Sequence, residues 1–379
     1  MQSNFLKKIT TVGMAVSTLF FASCNDNNSN SKTAVSDSTA MNVDTTKQMG
    51  ILKPKGPKPD WAPDMTPEMQ VVIEKLMSYN SPPLITLSAA DARKQPSPAN
   101  AVKDVMKDNN VPMPTSMVDT VGKDIPVTGG NIHLRIYSPK GNGPFPVIVY
   151  YHGGGWVIAD LDTYDASARG LAEQTGAVLV SVAYRQAPEH KFPTAHNDSY
   201  AAYEWVLKNT ASIKGDVKHV ALVGESAGGN LAAAVSMMAR DKGMAIPVYQ
   251  VLVYPIAGYD TATASYQKNA MAKPLDRPLM VWFFNNYLNN PADGKNPMIS
   301  LVNAKLKGMP PTTIITAQYD PLQSDGEMLS DKLKAAGVTV NYKMYNGVTH
   351  EFFGMATVVP AAKEAQAMAA SDLKSAFGK

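Results

Sequence analysis

From about residue 117 onward the chain carries short runs rich in Val, Ile, Tyr and Thr: NIHLRIYS, PVIVYYHG, AVLVSVAY, HVALVGES, YQVLVYP, TTIITAQYD and VTVNYKMY. β-Branched and aromatic residues fit a pleated surface, so each run predicts a strand. Between most of the later runs, apolar residues recur at helical spacing in YDASARGLAEQTG, DSYAAYEWVLKNT, AGGNLAAAVSMMARD, SDGEMLSDKLKAAG and the C-terminal AAKEAQAMAASDLKSAF. Strands that alternate with helices predict an α/β fold with a mostly parallel central sheet and helices on both faces. Residues 257–308 break the rhythm with LMVWFFNNYLNN, which predicts an insertion above the sheet.

The first 116 residues are patterned differently. MQSNFLKK is followed by ITTVGMAVSTLFFAS, an apolar stretch of about fifteen residues, and then by Cys24. A lysine-bearing start, a short apolar run and small residues before a cut read as a secretory signal. Phe21-Ala22-Ser23-Cys24 resembles a bacterial lipobox, with Phe21 where leucine is usual. That resemblance implies acylation of Cys24, a lipid anchor and a place in the bacterial cell envelope, at the periplasm or outer membrane; an ordinary signal peptide cut nearby is the alternative. Residues 25–59 hold almost no large apolar side chains and predict a solvated tether. Residues 60–116 predict two helices, DMTPEMQVVIEKLMSY and a second running from SAADARKQ to AVKDVMKD. Residues 117–379 form the main domain.

Composition narrows the chemistry. Net charge is +3, and the only basic cluster is KPKGPK near residue 53, which argues against nucleic acid as a partner. A single cysteine, Cys24, cannot form an internal disulfide, and no Cys/His cluster is spaced to hold zinc, so no metal or cofactor is implied. The sequence leaves the oligomeric state open, a homodimer included.

The strand HVALV runs into Gly224-Glu225-Ser226-Ala227-Gly228 and then into an alanine-rich helix. G-x-S-x-G at a strand-to-helix junction is a nucleophile elbow, a tight turn that exposes the serine hydroxyl at the sheet edge. Serine needs a base and an orienting acid. Of the six histidines, His350 lies in a loop between a strand and the last helix, and Asp320 ends the strand TTIITAQYD. Both positions are at strand C-terminal ends, and the chain order Ser226, Asp320, His350 is that of an α/β-hydrolase sheet. His152-Gly153-Gly154-Gly155 follows an earlier strand, where such a sheet builds its oxyanion hole. Backbone N–H groups must reach a developing oxyanion without side chains in the way, which is the reason for glycine there. Gly154, Gly155 and Ala227 are assigned as donors with Gly153 setting the turn; Gly153 and Gly155 remain alternatives. A phosphate cradle is excluded by the absence of G-K-[ST] and G-x-G-x-x-G.

HGGGW, DLDTYD, YRQAPEHKFP, GESAGGN, YDPL and the VTHEFF loop together resemble the hormone-sensitive-lipase-like carboxylesterases of the α/β-hydrolase fold, over about residues 60 to 379. The resemblance implies a serine esterase acting on small carboxylic esters, with Ser226, Asp320 and His350 as triad and a cap made of the N-terminal helices plus residues 257–308. It implies short acyl chains as the expected substrates, a carbohydrate or xenobiotic deacetylase being the alternative. A non-catalytic binding member of the fold typically lacks the histidine, which is present here. Glu225 stands where many members carry aspartate, and Gln186 interrupts the commoner YRLAPE. Arg185 and Glu189 are expected to form a pair supporting the active-site face.

Overall fold

The computed structural model describes residues 52–379. The signal-sequence reading, the Cys24 acylation site and most of the tether lie outside the described residues. The strands are β1 (Val118–Val127), β2 (Gly130–Pro139), β3 (Phe145–Tyr151), β4 (Val178–Ala183), β5 (Gly215–Glu225), β6 (Gln250–Val253), β7 (Thr312–Tyr319) and β8 (Val340–Thr349). They form one sheet in the order β1-β2-β4-β3-β5-β6-β7-β8. β1, β2 and β4 pair antiparallel, and every pair from β4-β3 to β7-β8 is parallel.

Side chains on a strand alternate between faces. On β3, Val147, Val149 and Tyr151 join one apolar layer, and Ile148 and Tyr150 join the other. The first layer is closed by α5 (Thr194–Asn209), α6 (Ala227–Asp241) and α9 (Gln323–Ala335), the second by α4 (Asp165–Thr175) and α10 (Pro360–Ala376). Burial on both faces explains why these strands read as continuous apolar runs.

Three local readings are corrected. β1 gave no strand signal because most of its residues are exposed and its sequence, VDTVGKDIPV, has no apolar alternation; it is an edge strand held by register against β2. The single helix expected from SAADARKQ to AVKDVMKD is two, α2 (Ala89–Ala92) and α3 (Pro98–Asp108). Pro98 stands at the start of α3, where its missing N–H costs nothing, and Ser97 with Asn100 forms a capping box. Residues 52–59 are docked rather than solvated. Leu52 is buried, and α1 (Pro67–Ser78) holds this segment through Gln70 Nε2 to the carbonyls of Gly56 and Pro57 and through Glu74 to the N–H groups of Lys55 and Gly56.

The two parts of the expected cap belong to different layers. α1 and α3 pack with the α4 and α10 layer, whereas the insertion, carrying α7 (Ala264–Lys268) and α8 (Arg277–Tyr287), packs into the other through Phe283, Phe284 and Tyr287. The turn Leu84–Thr86 contacts α8 and joins them.

Candidate active site

β5 ends at Glu225 and α6 begins at Ala227, which leaves Ser226 alone in the turn, with φ +57° and ψ −118°. That left-handed backbone is rare for a side-chain-bearing residue. It is held by Ser226 N–H donating to the Val253 carbonyl and by Ile256 N–H donating to the Ser226 carbonyl. The flanking glycines are obligatory by distance. A Cβ on Gly224 would lie 2.0 Å from the Gly228 carbonyl oxygen, and one on Gly228 would lie 1.9 Å from that of Tyr151.

The structure brings Ser226, His350 and Asp320 together. His350 Nε2 is 3.0 Å from Ser226 Oγ, and His350 Nδ1 is 2.7 Å from Asp320 Oδ2. Asp320 is fully buried, and its other oxygen accepts from the Leu322 N–H at 2.8 Å. A carboxylate so fixed accepts the Nδ1 proton and leaves Nε2 free to take one from the serine. Burial pulls the His350 pKa down, but the charge and hydrogen bond of Asp320, reinforced by Glu351 and Glu225, leave it above the ordinary histidine value.

The three glycines after His152 are each packed where a side chain would stand. A Cβ at Gly153 would meet Tyr164 Oη at 2.2 Å, one at Gly154 the Ile158 carbonyl oxygen at 2.2 Å, and one at Gly155 the Phe283 ring at 2.2 Å. Gly154 and Gly155 both have positive φ, at +95° and +59°. Among the described residues the N–H groups of Gly153, Gly154 and Gly155 donate to no protein acceptor. Ala227 supplies one of the unpartnered N–H groups at the start of α6. His152 itself is structural: its ring stacks on Tyr184 at 4.4 Å, Nδ1 donates to the Gly153 carbonyl, and burial lowers its pKa to about 4.

Among the described residues no cation pairs with Glu225. Its carboxylate accepts from Tyr150 and Tyr254, each at 2.5 Å, and burial followed by the Glu351 charge pushes its pKa up to about 7. Tyr254 in turn packs against the His350 ring at 4.4 Å, so Glu225 braces the imidazole through a tyrosine. Gln186 has a local task as well, donating to the carbonyls of Ile158 and Ala159 just past the glycines.

The expected Arg185–Glu189 pair does not form. Arg185 is bidentate to Asp198, which is buried, at 2.7 and 2.8 Å. Glu189 pairs with Arg93 at the end of α2, and Arg93 also donates to the carbonyls of Val157 and Ala187. Arg93 therefore ties the N-terminal region to both active-site loops, and nothing in its own neighbourhood of sequence marks it. Tyr164 and Glu351, which meet at 2.5 Å beside Gly153, were likewise not singled out from the sequence, although they lie within the DLDTYD and VTHEFF segments. Trp156 is buried in the core, stacked on Tyr287 at 4.6 Å.

With this geometry in hand, comparison with known proteins gives the family. Residues 148–354 match the model of a family described as having the alpha/beta hydrolase fold. The carboxylesterase NlhH of Mycobacterium tuberculosis is 40% identical over 252 residues, 65% of this chain and 79% of that protein. Among solved structures, an esterase of Pyrobaculum calidifontis superposes with a TM-score of 0.73 at 36% identity, covering 82% of this chain and 98% of that one. A thermostable esterase from Pseudomonas putida ECU1011 gives 0.76 at 34% identity, covering 83% and 98%. The chain belongs to the alpha/beta hydrolase fold family, and the resemblance to the hormone-sensitive-lipase-like carboxylesterases is borne out.

Proposed function

We propose that the chain hydrolyses carboxylic esters with small acyl groups through an acyl-serine at Ser226. Ser226 Oγ bonds to the ester carbonyl carbon as His350 Nε2 takes its proton, and the N–H groups of Gly154, Gly155 and Ala227 hold the resulting oxyanion. The carbon–oxygen bond to the alcohol then breaks, and Nε2 returns the proton to the leaving oxygen. Water repeats the attack on the acyl-serine, gives its proton to Nε2, and releases the acid and Ser226. The observation that carries this reading is the hydrogen-bonded series Ser226–His350–Asp320, buried at 3.0 and 2.7 Å beside free backbone N–H groups. The names of the relatives, carboxylesterase and esterase, support it.

Hydrolysis of p-nitrophenyl esters from acetate to long acyl chains, by the protein and by Ser226→Ala, is the test. Turnover that is greatest on short chains and vanishes in the variant is expected; ester hydrolysis retained by Ser226→Ala rules the assignment out.

The lipobox-like FASC segment supports a second element of the proposal, that Cys24 carries the lipid anchor and holds the enzyme at the bacterial envelope. Cys24→Ser is expected to move the protein from the membrane fraction to the soluble fraction, and unchanged partitioning counts against it.

A further inference from the structure

We propose that Glu351 recognises the alcohol half of the ester, and that the substrates are monoacyl esters of vicinal diols, acylated glycerol or sugars, whose neighbouring hydroxyl donates to Glu351. This rests on the ester-hydrolase reading above and adds the class of alcohol to it.

Glu351 is placed for that task beside the electrostatic support it gives His350. It follows His350 directly and has φ +71°, a backbone that L side chains rarely adopt. Its Oε1 lies 3.9 Å from His350 Nε2, on the reacting side of the imidazole and away from Nδ1, which Asp320 holds. The hydroxyl of Tyr164 donates to Oε1, and that same hydroxyl stands over Gly153. Among the described residues Oε2 has no hydrogen-bond partner, and no lysine or arginine pairs with the carboxylate. The side chain is only 19% exposed. The unpartnered Oε2 is not among the atoms sealed in the interior, so the carboxylate is open to a group entering beside it, and a group that displaces water there without donating to it is costly.

The hydroxyl of a bound substrate can make that donation. The leaving oxygen must sit at Nε2 to receive its proton, and a hydroxyl on the adjacent carbon lies beside it. Two hydrogen bonds then run side by side, Nε2–H to the leaving oxygen and the neighbouring hydroxyl to Glu351. A separation of 3.9 Å between Nε2 and Oε1 suits two oxygens on adjacent carbons. A plain alkyl alcohol offers no donor and leaves the carboxylate with Tyr164 alone.

The surrounding space agrees. Glu351 opens on a cavity of about 110 Å³ that also touches Gly154, Thr163 and Tyr164. This cavity shares Arg93, Gln95, Ser97 and Thr163 with a polar cavity of about 570 Å³, room for a sugar ring, and shares Leu84, Pro96 and Pro98 with a more apolar one of about 530 Å³. The space beside Glu351 thus has a polar branch and an apolar branch.

The test compares kcat/KM for 2-hydroxyethyl acetate and propyl acetate, which differ by a hydroxyl in place of a methyl, in the wild type, Glu351→Leu and Glu351→Gln. A hydrogen bond to a charged acceptor sets an expected preference of about tenfold or more for the hydroxyethyl ester in the wild type. Glu351→Leu brings the ratio close to one, and Glu351→Gln, which keeps a carbonyl acceptor, recovers part of it. Any general loss of activity cancels in the ratio. A wild-type ratio near one overturns the proposal with ester hydrolysis intact, and so does a preference that survives both substitutions. Absence of turnover on these esters and on p-nitrophenyl acetate alike defeats the ester-hydrolase reading itself.

Discussion

Gly228→Ala isolates the contact on which the elbow depends. Gly228 and Gly229 are adjacent residues in the first turn of α6, and alanine is favoured over glycine by about 1 kcal/mol in a helix, so propensity alone stabilises either substitution. Their surroundings differ. A Cβ at Gly229 would lie 3.0 Å from Pro255 Cβ, whereas one at Gly228 would lie 1.9 Å from the Tyr151 carbonyl oxygen and 2.6 Å from that of His152. Both oxygens are backbone, and the second belongs to the residue that opens the glycine loop. The Gly228 contact must therefore open by about 1.1 Å to reach 3.0 Å, below which real Cβ atoms essentially do not come. That displacement separates the start of α6 from the loop and pulls Ala227 N–H away from Gly154 and Gly155. A misplacement of about 1 Å at reacting groups costs on the order of 100-fold in rate, or about 2.7 kcal/mol of transition-state stabilisation. Steady-state kinetics on p-nitrophenyl acetate should show kcat/KM falling by that amount in Gly228→Ala and by less than about a third of it, in logarithm, in Gly229→Ala. Melting curves on both variants separate loss of fold from loss of geometry. Equal activity in the two variants refutes the reasoning, because only the Gly228 Cβ meets backbone closer than 3.0 Å.

Further outcomes follow from buried charge. Asp325 accepts from the N–H groups of Ala257 and Gly258 and is pushed up to about 7, chiefly by burial. A carboxyl whose folded pKa is raised contributes stability that is present below its unfolded value, near 3.8, and lost as pH rises through 7. Asp325→Asn should therefore gain in melting temperature over the wild type as pH goes from 4 to 8, and a difference that does not change with pH argues against it. Arg185→Met leaves Asp198 buried without its cation and should cost about 3–5 kcal/mol in urea denaturation, whereas Glu189→Ala, at a half-exposed pair, should cost under about 1 kcal/mol. Asp320→Asn should lower kcat by about 10³- to 10⁴-fold with little change in stability, since the wrong imidazole tautomer is then favoured; rates within tenfold of wild type dismiss its role.

How far the sequence reaches into this site depends on whether a requirement is local. Ser226, the glycines and the strand and helix around them were legible because one short segment contains both the strained turn and the small residues that let other backbone approach it. Asp320 and His350 were legible because each sits at a strand end, and the parallel sheet brings all such ends to one edge. The supports were not legible, since they are long-range choices among chemically equivalent partners. Arg185 has Glu189 four residues on and takes Asp198 instead, because Asp198 projects from α5 into the layer beneath while Glu189 stays near the surface within reach of Arg93. Glu225, marked in the sequence only as standing in place of aspartate, is held by two tyrosine hydroxyls distant in the chain. The result is a histidine with three carboxylates around it, Asp320 hydrogen-bonded to Nδ1, Glu351 at 3.9 Å from Nε2 and Glu225 behind Tyr254, and among the described residues no lysine or arginine paired with any of them. Such a field favours the imidazolium each time it forms. It also disfavours an oxyanion, so under the proposed mechanism stabilisation of that charge falls to backbone N–H groups, and the three consecutive glycines, packed against Tyr164, Ile158 and Phe283, stand where those groups would be reached.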